Sequence, residues 1–184
     1  MKKGNGKYYC EIKWHVNDNV GSAGIIESDI ANQAWNDNTN INDHATETSW
    51  GRCVFRDDGN IKFGGTNISS GVSMANNDIL GIAFDAENGK VYFHKNGTYV
   101  TTDSVQHNPS AGTGGIDISS HASWVDGSFW HWYCGDGSSS GYSSYSLNAG
   151  NGFFETTAVT SAGTNSGIGT FEYDVPTGFK ALCT

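Results

Sequence analysis

The sequence predicts an all-β chain folded as an antiparallel β-sandwich, and three observations carry that expectation. Apolar and polar residues alternate with period two through KYYCEIKWHV at residues 7 to 16, the pattern of a strand with one buried face. Asp58-Gly59, Asn88-Gly89 and Asn96-Gly97 each end or join alternating runs, where paired strands need positive φ. No stretch of useful length places apolar residues at helical spacing. Many short strands punctuated in this way build two packed sheets.

The elements follow in order. In the first strand Tyr8, Cys10, Ile12, Trp14 and Val16 take one face, with Tyr9, Glu11, Lys13 and His15 on the other. After the turn NDN, VGSAGIIES supplies a short second strand. Residues 30 to 50 are polar and Asn-rich and read as a long loop carrying Trp35 and Trp50. GRCVFRDDGNIKFGG reads as strand, turn and strand. NDILGIAFDAENGKVYFHKNGTYV is an antiparallel meander, with Leu80, Ile82 and Phe84 on one face, then Val91 and Phe93 after the turn. Residues 102 to 123 are Gly/Ser-rich and read as a second long loop. SFWHWYCGDG is an aromatic strand, GSSSGYSSYS a flexible turn, and GTFEYDV a last strand that runs into PTGFKALCT.

A chain of 184 residues suits one core and one domain, residues 1 to 184. Its formal net charge of −9 offers no basic footprint for phosphates, so nucleic acid is not an expected partner. No run approaches the roughly 18 to 20 apolar residues of a membrane span, so membrane insertion is not expected either. The opening MKKGNGKYYC has two lysines but no apolar segment behind them, unlike a secretory leader. Cys10, Cys53, Cys134 and Cys183 are widely spaced, and three disulfide pairings are open to them. Their alternating strand positions point instead to reduced, buried thiols of a chain folded in a cytoplasm.

The motifs of chemistry are thin. A glycan hydrolase needs two carboxylates about 5 to 9.5 Å apart, which a strand supplies as Glu-x-Asp-x-Glu. Glu11 instead has Tyr9, Lys13 and His15 as alternate neighbours, and Asp57, Asp58, Asp85 and Glu87 sit at turns. NDNTNINDH at 36 to 44 places oxygen ligands at alternate positions, but lacks the glycine and bidentate glutamate of an EF-hand. The six histidines show no zinc spacing. No Gly-x-Ser-x-Gly elbow singles out a serine. The expectation is no enzyme, no metal and no cofactor. Binding remains: Trp35, Trp124, Tyr142 and Tyr145 lie among Gly, Ser and Asn, as recognition surfaces place rigid aromatics beside adaptable polar groups. These four are the candidate binding residues, whereas Trp14, Trp130 and Trp132 read as core.

Three segments resemble a known family. GKYYCEIKW is similar to the opening strand of the SPRY (B30.2-like) domain, NNDILGIAFDAENGKVYFHKNGTYV to its most characteristic hairpin, and the strand around Trp130 to its aromatic strand. Asn77-Asp78, Gly81, Asp85, Phe93 and Lys95-Asn96-Gly97 fill the hairpin's places. The resemblance covers most of residues 6 to 183 and implies a concanavalin-like jelly roll that binds partners through loops at one edge. The closing DVPTGFKALCT resembles a narrower subgroup, SPRY modules in large bacteriophage virion proteins. Two departures stand out: the family usually has a strand before the opening segment, and in the subgroup the chain usually continues past the closing motif. These suggest a piece of a longer virion protein, or an edge completed by a neighbour. The resemblance thus implies a structural protein for capsid decoration or a tail fibre. It would be located in a virion assembled in the host cytoplasm, with other virion proteins or a host-surface glycan or receptor as partners. Homo-oligomerisation is a further expectation, and the alternative is a carbohydrate-binding module.

Overall fold

The alternating segment at the N-terminus becomes β1 (Lys7–Val16), the strand on which the first sheet is built. The computed structural model describes residues 1–18, 20–28, 51–136, 141–161, 163–164, 167 and 169–182. In chain order there follow β2 (Gly21–Glu27), β3 (Arg52–Arg56), β4 (Asn60–Phe63), β5 (Thr66–Ser69), β6 (Ile79–Asp85) and β7 (Lys90–Lys95). Short pieces come next: β8 (Thr98–Tyr99), β9 (Thr101–Thr102), β10 (Val105–Gln106), β11 (Ile116–Asp117) and a helical turn α1 (Ala122–Val125). The chain closes with β12 (Trp130–Asp136), β13 (Ser144–Asn148), β14 (Phe153–Phe154), β15 (Thr157–Ala158) and β16 (Lys180–Ala181).

One sheet runs β11-β7-β6-β1-β13, with β8 on β7 and β16 parallel to the start of β1; the other runs β12-β2-β3-β4-β5. Every other pairing within the two sheets is antiparallel. The inner faces meet as the period-two reading expects. Cys10, Ile12 and Trp14 of β1, with Leu80, Ile82, Phe84 and Phe93, pack against Ala23, Ile25, Phe55, Ile61 and Trp130 of the facing sheet. Trp14 and Trp130 are fully buried, and Trp132 packs partly buried against the same core.

The outer face of β1 departs from the sequence reading. Tyr9 and Glu11 are fully buried, because residues 170 to 182 lie across the back of the first sheet. Phe171, Val175, Phe179 and Ala181 form a second apolar cluster there with Tyr9, Ala83 and Tyr92. GTFEYDV is therefore not the expected strand. Only Thr170 makes an isolated bridge, to Asn151. The N–H groups of Glu172 and Tyr173 donate to the Glu11 carboxylate at 2.9 and 2.8 Å instead of to a ladder.

Other differences are local. Residues 102 to 123 carry β10 and β11 within the expected loop, and the end of the expected flexible turn, residues 144 to 146, belongs to a strand, Ser144–Asn148, paired with β1. Cys10 and Cys53 are buried free thiols, but Cys134, also free, is exposed. It lies on β12, which among the described residues is flanked by a strand on one side only, β2. Cys183 lies outside the described residues.

The hairpin β6–β7 owes its shape to a few side chains. Asp85 Oδ1 accepts from the N–H groups of Glu87 and Asn88 at 3.0 Å each, closing one turn, while its Oδ2 meets Lys7 at 3.0 Å. At the other end Asn96 accepts from Ile79 N–H and donates to Asp78. Gly81 lies under the imidazole of His94, and a Cβ there would fall inside the ring's van der Waals surface. Gly81→Ala is therefore expected to cost about 1–3 kcal/mol by overpacking. Urea denaturation checks this, and pairing the change with His94→Ala is expected to recover part of the loss.

Candidate functional site

Three places bring chemically able side chains together. The first is buried. Gly97 N–H donates to His94 Nδ1 at 3.1 Å, which leaves the ring proton on Nε2, 2.7 Å from the Tyr9 hydroxyl. Tyr9 in turn donates to Glu11 Oε1 at 3.1 Å, and Asn148 Nδ2 donates to Glu11 Oε2 at 3.3 Å. Burial pushes the Glu11 carboxyl up; the N–H groups of Glu172 and Tyr173 and the Tyr9 hydroxyl pull it back only in part. Shifted carboxyls often mark active sites. Here, however, four donors fill the carboxylate and nothing of it reaches solvent, so the arrangement serves as an internal lock.

The second is a Ser–His pair. Ser146 Oγ lies 2.7 Å from His15 Nε2, and Glu155 Oε1 approaches the same nitrogen at 3.8 Å. A catalytic triad needs the carboxylate on the other ring nitrogen, to fix the tautomer that takes the serine proton. With both partners on Nε2 that division of roles is missing, and Glu155 is largely exposed. Among the described residues no group of three His, Cys, Asp or Glu side chains is placed to hold a metal ion. The Asn-rich segment 36 to 44 lies outside the described residues.

The third is open. A groove of about 410 Å³ lies at the end of the sandwich where β6 begins, between the loop after β5 and the ribbon from β7 to β10. Its walls include Val72, Lys95, Asn96, Thr98, Thr101 and Gln106. The loop is tied down because Ser70 Oγ donates to Gly59 O at 2.7 Å and Lys95 Nζ donates to Ser73 O at 2.7 Å. Lys95 also meets Asp78 at 2.8 Å. Burial alone would raise the Asp78 carboxyl; Lys95, Asn96 and the Ala75 N–H outweigh it and hold the group below its usual range. The lysine's charge is thus neutralised within the wall. What the groove offers is hydroxyls and amides beside the apolar side chains of Val72, Tyr99 and Val100.

The sequence-predicted aromatics are not gathered into one platform. Trp124 is buried at 3% exposure: α1 folds it inward, edge-on to Phe84 and against the Asn88-Gly89 turn. Tyr145 belongs to β13 and is half-buried, edge-on to Trp14 at 4.9 Å, with its hydroxyl donating to Gly135 O. These two stand at opposite ends of β6. Tyr142 is 67% exposed. Trp35 lies outside the described residues. Sequence reasoning missed the Glu11 lock and the groove; the paired positions Asp78 and Asn96 beside the Asn-Gly turn were the available signal for the latter.

Fold and site together define a two-sheet antiparallel sandwich that presents a neutral, loop-built groove at one end. No family model matches the sequence, and no curated protein matches it. Among solved structures the chain is similar to the SPRY domain of human HERC1, with 15% identity and a TM-score of 0.38. The likeness spans 57% of this chain and 64% of that one, so less than two thirds of the HERC1 domain is matched.

The buried imidazoles set a pH dependence. His107 Nδ1 accepts from Phe93 N–H at 3.0 Å, so its ring, like that of His94, is held neutral by a backbone donor. Burial pushes His94 down to about 3 and His107 down to about 4. The unfolded chain therefore binds more protons between pH 6.5 and these values, and stability falls as pH drops through that window. The slope reaches at most about 1.4 kcal/mol per pH unit for each histidine. Glu11, with its raised carboxyl, acts with the opposite sign but is common to both proteins compared. Urea midpoints across this range are expected to fall less steeply for His94→Gln than for the unmodified chain; parallel profiles would count against the assignment.

Proposed function

We propose that this chain is a non-enzymatic binding module that docks a protein partner in the groove between the Ser70–Ser73 loop and the β7–β10 ribbon. The observation that carries this reading is the composition of the groove. The apolar side chains of Val72, Tyr99 and Val100 lie beside a lining of hydroxyls and amides, and the lysine in its wall has its charge already met. Protein interfaces of moderate size combine apolar contact with neutral hydrogen bonding in this way. A sugar platform needs an exposed ring for the sugar face. Trp124 is inside the core and Tyr145 half-covered, so that of the expected rings among the described residues only Tyr142 is exposed; a single ring gives the carbohydrate-binding alternative less support.

The virion context rests on the resemblance of the closing segment, residues 174 to 184, to modules of large virion proteins. In this reading the module is a structural piece of the particle, and its partners are neighbouring virion proteins. Phe179 and Ala181 of that segment are buried on the sheet, which leaves the opposite, loop-bearing end to face a partner.

A benzophenone side chain introduced at Gln106, exposed in the groove lining, tests the reading in cells or particles that contain the protein. It is expected to cross-link to one defined polypeptide, while the same group at Thr157, exposed in the β14–β15 ribbon, is not. Equal cross-linking at both positions would contradict the proposal. So would a defined sugar bound on a glycan array whose affinity responds to Thr98→Arg.

A further inference from the structure

The second sheet ends in a strand edge that no described strand covers along most of its length. Trp130 directs its N–H and its C=O to Met1, at 2.7 and 2.6 Å, away from β2. Backbone direction alternates along an antiparallel strand. Trp132 and Cys134 therefore direct their N–H and C=O groups off the same edge, while His131 and Tyr133 face Ile26 and Gly24 of β2. The Met1–Lys2 segment, bridged antiparallel to Phe129, occupies the start of the edge. The strand itself ends at Asp136.

Natural edges are usually blunted by lysine, proline or a bulge. WHWYCGD contains no lysine or proline and pairs with β2 without a register shift. Its aromatic residues favour strand pairing. On its inner face Cys134 is exposed.

We propose that the free edge of β12 is a self-association seam, on which β12 of a second copy adds antiparallel about a two-fold axis at Tyr133. Three features select this occupant. First, the edge is self-complementary. With Tyr133 opposite its counterpart, the outward groups of Trp132 meet those of Cys134 in the other copy, and the reverse, so each bare donor finds an acceptor. Second, the overlap has a defined length: pairing runs over residues 131 to 135, and at Trp130, which Asp136 of the other copy would face, Met1 already holds the outward groups, so the partner strand leaves the edge there. Third, the centre of the seam, residues 132 to 134, carries no carboxylate or ammonium group; Asp136 lies at the strand's end. Across the axis the two Tyr133 residues face one another as a non-hydrogen-bonded pair, each ring lying over Gly135 of its own strand.

The seam is tested by sedimentation velocity on the full chain over a concentration series reaching millimolar. The unmodified protein is expected to pass from monomer to dimer. Cys134→Pro removes an outward N–H without touching the ladder to β2, and it is expected to weaken the dimer by roughly tenfold or more. Tyr133→Lys places two ammonium groups across the axis and is expected to do the same, so it decides the question should the proline variant fail to fold. In a Cys134→Ser background, Tyr133→Cys brings two thiols to a Cα separation of ~4.5 Å, within disulfide range. Oxidised glutathione, accepting two electrons and two protons, is expected to convert this variant to a covalent dimer. A chain that remains monomeric throughout the series, or a dimer indifferent to both Cys134→Pro and Tyr133→Lys, overturns the proposal.

Discussion

The structure depends on a carboxylate placed where a strand would ordinarily show a solvated side chain. Glu11 stands in the middle of β1, fully buried, and holds the N–H groups of Glu172 and Tyr173 across a sequence separation of more than 160 residues. A buried carboxylate left short of donors costs several kcal/mol, and breaking one partner of such a group is typically worth 3–5 kcal/mol. The C-terminal segment satisfies that need, and in lying down over it buries Phe171, Val175 and Phe179 against Tyr9 and Tyr92. One polar contact thus turns a one-core sandwich into a sheet with apolar packing on both faces.

The same contact reaches the groove. The hydrogen-bond chain runs from Glu11 through Tyr9 and His94 to the N–H of Gly97, in the turn between β7 and β8 that leads into the groove wall. Tyr173 stacks edge-on to His94 at 5.4 Å and lies close beneath Gly97. The turn is therefore backed from below by the C-terminal segment and fixed from the side by Asp78 and Asn96. A rigid wall of this kind lowers the ordering cost of binding, and it explains why an end loop built largely from small polar residues holds one shape.

Legibility in the sequence followed the range of each interaction. The inner faces of β1, β6 and β7 and the Asp-Gly and Asn-Gly turns were readable, because alternation and turn chemistry are local properties of the chain. The burial of Tyr9 and Glu11 was not, since their partners lie at the other end of the sequence and GTFEYDV alternates well enough to pass for a strand. Trp124 looked like a loop aromatic because its Ser-rich neighbours masked a single helical turn, which His121 begins by accepting the Ser123 N–H. Cys134 alternated like a core thiol, but alternation does not say whether a strand is central or at an edge. The groove left only a trace, the Asp78 and Asn96 pair that braces its wall.

The central claim is that Glu11 pins the C-terminal segment, and amide hydrogen exchange at Glu172 and Tyr173 tests it most directly. In the intact chain both amides are predicted to exchange as slowly as the core amide of Ile82. In Glu11→Gln they are predicted to become fast together with the Gly97 amide, while Ile82 stays protected. Fast exchange at Glu172 and Tyr173 in the unmodified protein, or protection unchanged by Glu11→Gln, would contradict the account.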